Sequence, residues 1–164
     1  MMPWRPMTPH DLDDVKVLAD RIHLDHPEDR DVFVERQAIY PDGCHVLVEG
    51  DALIGYALTH PWRFDEPPAL NSRLGGIPRD AATYYVHDVA LLPEARGKGY
   101  AAQAGALLAA HARSAGFANM SLVAVNKSQA FWEKLGFKVR TVPGLQAKLF
   151  SYGADAVMMV RELA

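Results

Sequence analysis

The sequence predicts an α/β chain in which a mixed sheet, part antiparallel and part parallel, carries helices on its faces. Three observations lead there. "CHVLVEGDALIGYALTH", residues 44–60, sets two apolar runs around Gly50-Asp51, a turn-forming pair, which is the pattern of an antiparallel hairpin. From Thr83 the chain reads strand, turn, helix, strand, a unit whose two strands run parallel. Its 164 residues, 49% apolar and 23% charged, suit a single domain over residues 1–164.

The elements follow in order. Thr8-Pro9-His10-Asp11 starts a helix: Thr8 caps, Pro9 fits the first turn and Asp11 stands three beyond the cap. Leu12, Val15, Leu18, Ala19 and Ile22 then recur at helical spacing. A weaker helix covers roughly Val32 to Tyr40 and ends at Pro41-Asp42-Gly43. After the hairpin comes a Pro- and Gly-bearing loop, roughly His60 to Ala82; loops of that length are more often functional or mobile than plain connectors. "TYYVHDVALL" reads as a buried strand that stops at Pro93. Gly99 to Ala115 is helical by its alanines and leucines, with Gly116 as the cap. "MSLVAV" is a short buried strand, and "SQAFWEKLGF" a short helix ending at Gly136. Phe137 to Val142 and Ala156 to Val160 are closing strands, with Met158 and Met159 as core.

Composition narrows the functions. A net charge of -3 argues against nucleic acid or an anionic membrane as partner. The longest uncharged run, Gly99 to Ala112, is too short to span a bilayer, and the N-terminus lacks the apolar core of a secretory signal. With nothing addressing it elsewhere, a cytoplasmic setting is expected. The single cysteine, Cys44, cannot pair internally and reads as an inert small hydrophobe. No zinc spacing occurs; His23 and His26 lie three apart, but such pairs are commonly incidental, so no metal is expected.

Between the strand and the alanine-rich helix lies Arg96-Gly97-Lys98-Gly99. One reading is a tight turn with solvated charges. The other is an anion site: the first N–H groups of a helix lack partners, the helix dipole adds positive potential, and glycines let an anion approach the backbone. A Walker loop is excluded, because Lys98 is followed by Gly99 and Tyr100 rather than by a hydroxyl for magnesium. A Rossmann turn fits poorly, since the position about twenty residues on from Gly99 is Asn119, not an acid.

The surroundings decide between the two. "HDVALLPEARGKGYAAQAGALLAAHA" resembles the central motif of the GNAT superfamily of acyl-CoA-dependent N-acetyltransferases. "SQAFWEKLGF" resembles its downstream motif, and "WRPMTPHDLDDVKVLAD" its opening strand and first helix, so that the resemblance runs from Trp4 through Phe137. It implies a GNAT-like mixed sheet, largely antiparallel with a central parallel pair, flanked by about four helices. It implies acetyl-CoA or coenzyme A as cofactor, with backbone N–H groups of Arg96, Gly97, Lys98, Gly99, Tyr100 and Ala101 on its pyrophosphate. By the same resemblance the strand edge at Leu91 and Leu92 would bond the pantetheine arm, and Asn126 and Ser128 would offer polar contacts. Phe131 and Trp132 would lie at the thiol end.

Acetylating an amine requires removing a proton from it. Strand alternation places Tyr85, His87, Val89 and Leu91 on one face, so that if Leu91 faces the cofactor, His87 and Tyr85 line the slot. Because histidine titrates near neutrality, His87 is the expected base, directly or through a water. Asp88 would then point to the other face and be structural. A strand N–H near Val89 or Leu91 would stabilise the acyl oxygen. Where the family often has a tyrosine acid, this chain has Trp132, which does not titrate. Either the thiolate leaves unassisted or Tyr152 or Ser128 serves. Tyr40, Tyr56, Trp62 and Arg63 are candidates for the acceptor pocket. No activated Cys or Ser is evident, so the expectation is direct attack by a small-molecule or peptidyl primary amine in a ternary complex. Two rivals stand beside it: a non-catalytic acyl-CoA-binding sensor or interaction domain, and an unrelated nucleotide-binding α/β domain. A homodimer is expected only because relatives commonly form one.

Overall fold

The structure, a computed structural model, describes residues 3–25 and 27–163; His26, half of the histidine pair noted above, lies outside them. β1 (Trp4–Pro6) leads through a 3-10 turn into α1 (Leu12–Ile22) and α2 (Arg30–Ile39). β2 (Cys44–Glu49) and β3 (Ala52–Trp62) form the predicted hairpin, and β4 (Thr83–Leu91) follows the long loop. Then come α3 (Tyr100–Ser114), β5 (Asn119–Ala124), α4 (Gln129–Lys134), β6 (Lys138–Val139), α5 (Gln146–Phe150) and β7 (Val157–Glu162). One sheet of seven strands runs β1-β2-β3-β4-β5-β7-β6. Only the β4–β5 pair is parallel among the described strands. The fold is thus the expected mixed sheet with a central parallel pair, flanked by five described helices where about four were expected.

Helix α1 buries Leu12, Val15, Leu18 and Ala19, its predicted apolar stripe, in a cluster with Phe33, Tyr56 and Leu58. Its first turn is tied by Asp11, whose carboxylate accepts the Thr8 N–H at 2.8 Å and both Arg5 guanidinium nitrogens. Helix α3 packs Leu108, Ala109 and Ala112 against Tyr84, Val86 and Leu122. Burying these side chains contributes about 25 cal/mol per Å² of apolar area.

Three differences from the sequence expectation matter. β6 is only two residues long, because Pro143 and Gly144 deflect the chain into α5, which the sequence did not announce. β3 continues to Trp62, two residues beyond the expected hairpin end. The third difference shapes the site. Leu58 pairs with Asp88 but Thr59 pairs with Val86, so His87 is an extra residue on β4, a β-bulge. The bulge breaks alternation: His87 and Asp88 both reach the side carrying α1 and α2, where they meet Glu28 and His23. His87 and Tyr85 therefore do not share a face with Val89 and Leu91, as simple alternation had placed them.

The bulge also coincides with the parting of the parallel strands. β4 and β5 pair only over Tyr84–Met120, Tyr85–Ser121 and Val86–Leu122. Beyond Val86 the two strands diverge and leave a slot.

Candidate active site

The slot opens into a cavity of about 780 Å³, walled by β4 and β5 and closed at one end by the start of α3. At that end the backbone is bare. Gly97 and Gly99 both adopt left-handed φ, +79° and +82°. The Arg96 N–H is spent on Pro93 O at 3.2 Å, and Gln103 is the first helical donor to find an acceptor, Gly99 O at 3.1 Å. Among the described residues, the N–H groups of 97–102 have no backbone or side-chain acceptor. Five of those six positions lie on the cavity wall, with the Arg96 side chain beside them. Unpaired donors at the positive end of a fifteen-residue helix form an anion-binding cradle. A diphosphate fits this chemistry, since a Cβ built on either glycine would meet nothing within 4 Å.

At the other end two histidine–carboxylate pairs meet. His87 Nε2 lies 2.7 Å from Glu28 Oε1, and His23 Nε2 lies 2.7 Å from Asp88 Oδ2. Tyr56 donates its hydroxyl to the same Asp88 oxygen at 2.6 Å. Burial works to raise the Glu28 carboxyl, but His87, the Asn71 N–H and the Arg36 charge outweigh it and hold Glu28 down at about 2. Burial works to lower His23, yet Asp88 overrides it and the imidazole is pushed up from its ordinary value. A smaller cavity of about 70 Å³ adjoins this cluster; His23, Glu28, His87 and Asp88 edge it, and Leu70, Tyr85 and Tyr152 line its apolar part.

The long loop before β4 is clamped over this end. Glu28 Oε2 accepts the Asn71 N–H at 2.9 Å while Oε1 holds His87. Arg36, buried in α2, donates to Ser72 O at 3.1 Å, and Tyr152 donates its hydroxyl to Pro68 O. One carboxylate thus connects the loop to the bulged strand.

The acetyltransferase (GNAT) family model matches residues 12–137, more than half of the chain. The chain belongs to the GNAT family of acetyltransferases. Solved structures agree on the fold. The GphF GNAT-like decarboxylase in complex with isobutyryl-CoA superposes with a TM-score of 0.80 at 18% identity, covering 98% of this chain and 99% of that one. The loading GNATL domain of CurA from Lyngbya majuscula gives 0.81 at 14% identity, covering 98% and 96%. Arabidopsis thaliana Naa50 with the bisubstrate analogue CoA-Ac-MVNAL gives 0.69 at 13%, covering 97% of each chain. No curated protein matches the chain.

Within this GNAT domain the structure gathers most of the expected site residues. His87, Val89, Leu91, Arg96, Gly97 and Gly99 line the large cavity, and so do Tyr100, Ala101, Asn126, Ser128, Phe131 and Trp132. Trp132 stands edge-on to Phe131 and Phe137, with ring centroids 5.0 and 5.5 Å away. Others fall elsewhere. Leu92 is buried and gives its N–H to Ile54 O, so it is no free strand edge. Lys98 points away from the cavity wall, 3.7 Å from Glu49. Tyr40 bonds His111 on the α3 side, and Trp62 bonds Glu66 O; neither lines either of these two cavities. Tyr56 is fully buried and reaches the site only through Asp88. Tyr85 lines the smaller cavity rather than the large one, and burial raises its hydroxyl well above the ordinary value.

Sequence reasoning set His23 aside as half of an incidental pair, read Asp88 as structural on the opposite face from His87, and did not single out Glu28. His23 immediately follows the last apolar position of α1, where a helix end projects a side chain toward the sheet; that placement was its one legible signal.

Proposed function

We propose that this GNAT domain binds acetyl-CoA and transfers the acetyl group to a primary amine by direct attack in a ternary complex. The cofactor supplies an activated acyl thioester. The observation that carries the reading is the unpaired run of N–H groups at residues 97–102, facing one end of a slot whose other end holds two histidine–carboxylate pairs. The cradle would hold the pyrophosphate, and the unpaired edge of β4 near Val89 and Leu91 would run beside the pantetheine and offer an N–H to the acyl oxygen.

The cluster suits an amine. Glu28 and Asp88 draw a cationic ammonium in, and a histidine of the cluster accepts its proton before the nitrogen attacks the acyl carbon. The C–S bond then breaks and the thiolate departs, and the nitrogen gives up its second proton to solvent to leave a neutral amide. Trp132 cannot protonate it. Tyr152 is committed to Pro68 O and burial pushes its hydroxyl up to about 12, which leaves Ser128 on the cavity wall or an unassisted departure; a thiolate is stable enough for the latter.

The test is thermal stabilisation by acetyl-CoA, CoA and ATP, followed by thiol release over a panel of small and peptidyl amines. Stabilisation by both CoA species with amine-dependent thiol release is expected. Stabilisation without turnover would favour an acyl-CoA sensor, and stabilisation by ATP alone an unrelated nucleotide site.

A further inference from the structure

The cluster holds two histidines, and they are not equivalent. Both line the two cavities, but the His23 side chain is 25% exposed, whereas the His87 side chain is 5% exposed and locked beneath Glu28. We infer that His23 is the base that meets the acceptor amine, and that Asp88, braced by Tyr56, is its positioning residue. This rests on the acetyl transfer proposed above and names the group within that site which takes the proton.

The geometry is that of an oriented base. His23 closes α1, where its N–H bonds Ala19 O at 2.8 Å, so its backbone is fixed at the helix end. The bulge at His87 turns Asp88 toward it. An ionised Asp88 accepts from imidazole Nε2–H, which leaves the Nδ1 lone pair as the proton acceptor. Tyr56 keeps its proton, because burial raises the hydroxyl well above its ordinary value, and it therefore remains a donor that holds the carboxylate in place. The charged groups acting on His23 are Asp88 from β4 and Glu28 from the α1–α2 connection, with Tyr56 from β3 bonded to Asp88 and His87 bonded to Glu28. Glu28 is already shared between His87 and the Asn71 N–H, so it cannot swing to serve an acceptor. The proton moves from the ammonium to Nδ1, giving an imidazolium paired with Asp88, and passes to solvent at the exposed edge of the ring.

The experiment compares wild type, His23→Gln, Asp88→Asn and His87→Gln. It reads the pH dependence of kcat/KM, thermal stabilisation by CoA, and the imidazole titration of the protein without ligand by NMR. His23→Gln is expected to keep its CoA stabilisation, to lose kcat/KM by about 100-fold at pH 7 and to lose the acid limb of the profile. In wild type that limb lies above 6.5, matching the His23 titration, and His87→Gln retains it. Asp88→Asn moves both the NMR titration and the limb to lower pH, which a purely structural loss would not do. The inference falls if His23→Gln keeps the limb, if His87→Gln removes it instead, or if Asp88→Asn leaves both positions unchanged. Because the last criterion needs no His23 variant, a His23→Gln protein that does not fold leaves the inference falsifiable. A wild type that binds CoA yet acetylates no amine overturns the functional reading and this inference together.

Discussion

His87 and Asp88 are neighbours in β4 and yet reach the same side of the sheet, one to Glu28 and the other to His23, each at 2.7 Å. A regular strand would have sent them to opposite faces. One inserted residue therefore does two things: it gathers two histidine–carboxylate pairs, and it lies where β4 leaves β5. Bulges beside active sites re-aim side chains in this way.

The Glu28–His87 pair makes stability depend on pH, with a sign that follows from its direction. Glu28 is held at about 2 in the fold against 4.5 as its ordinary value, so its contribution is present above 4.5 and disappears as pH falls through about 2. Glu28→Gln removes the charge from a buried pair and leaves Asn71 a weaker acceptor. Urea unfolding should show a loss of about 3 kcal/mol at pH 7, shrinking steadily below pH 4 as the wild type protonates. An equal loss at pH 7 and pH 3 would show that packing, rather than charge, is what the substitution removes.

Around the cradle, Arg96 and Lys98 are expected to separate. Both cations looked equivalent in sequence, but Arg96 lies on the cavity wall and Lys98 reaches toward Glu49. Arg96→Ala should weaken CoA about fivefold at low salt, and less at high salt because exposed charges are screened. Lys98→Ala should change the affinity less than twofold. Titration calorimetry at two ionic strengths separates them, and equal losses would place Lys98 on the phosphate after all.

Gly97 carries a different expectation from the one its sequence context invites. A larger residue there would crowd the phosphate, but φ of +79° means that any L side chain also strains the backbone, by about 1–2 kcal/mol. Gly97→Ala should therefore lower the melting temperature without ligand as well as weaken CoA. A variant with normal stability and normal CoA affinity would show that the turn is not part of the site.

The cradle was legible because all its causes are local: a strand end, two glycines and an alanine-rich helix stand next to one another in the chain. The histidine–carboxylate cluster was not, because it joins the end of α1, the connection before α2 and the middle of β4. No glycine or proline marks the bulge at His87, so period-two reasoning carried straight through it, put His87 on the face of Val89 and Leu91 and separated it from Asp88. Tyr40 and Trp62 were misplaced for a related reason. A residue's position at the end of an element does not say which face it takes, and Tyr40 turned to His111 beside α3 while Trp62 followed β3 past its expected end.

Trp132 offers a test of how the thiolate leaves. Its ring sits against Phe131 and Phe137 on the cavity wall, where a tyrosine would bring a titratable hydroxyl. A thiol is a good leaving group near neutral pH, since its ordinary pKa is about 8.5. Trp132→Tyr should therefore leave kcat within about threefold of wild type while costing about 1 kcal/mol through poorer packing against Phe137. Steady-state kinetics with an amine found in the panel provides the measurement. A tenfold or larger rise in kcat, with a basic limb newly present in its pH profile, would mean that thiolate departure limits the reaction and that an acid there assists it.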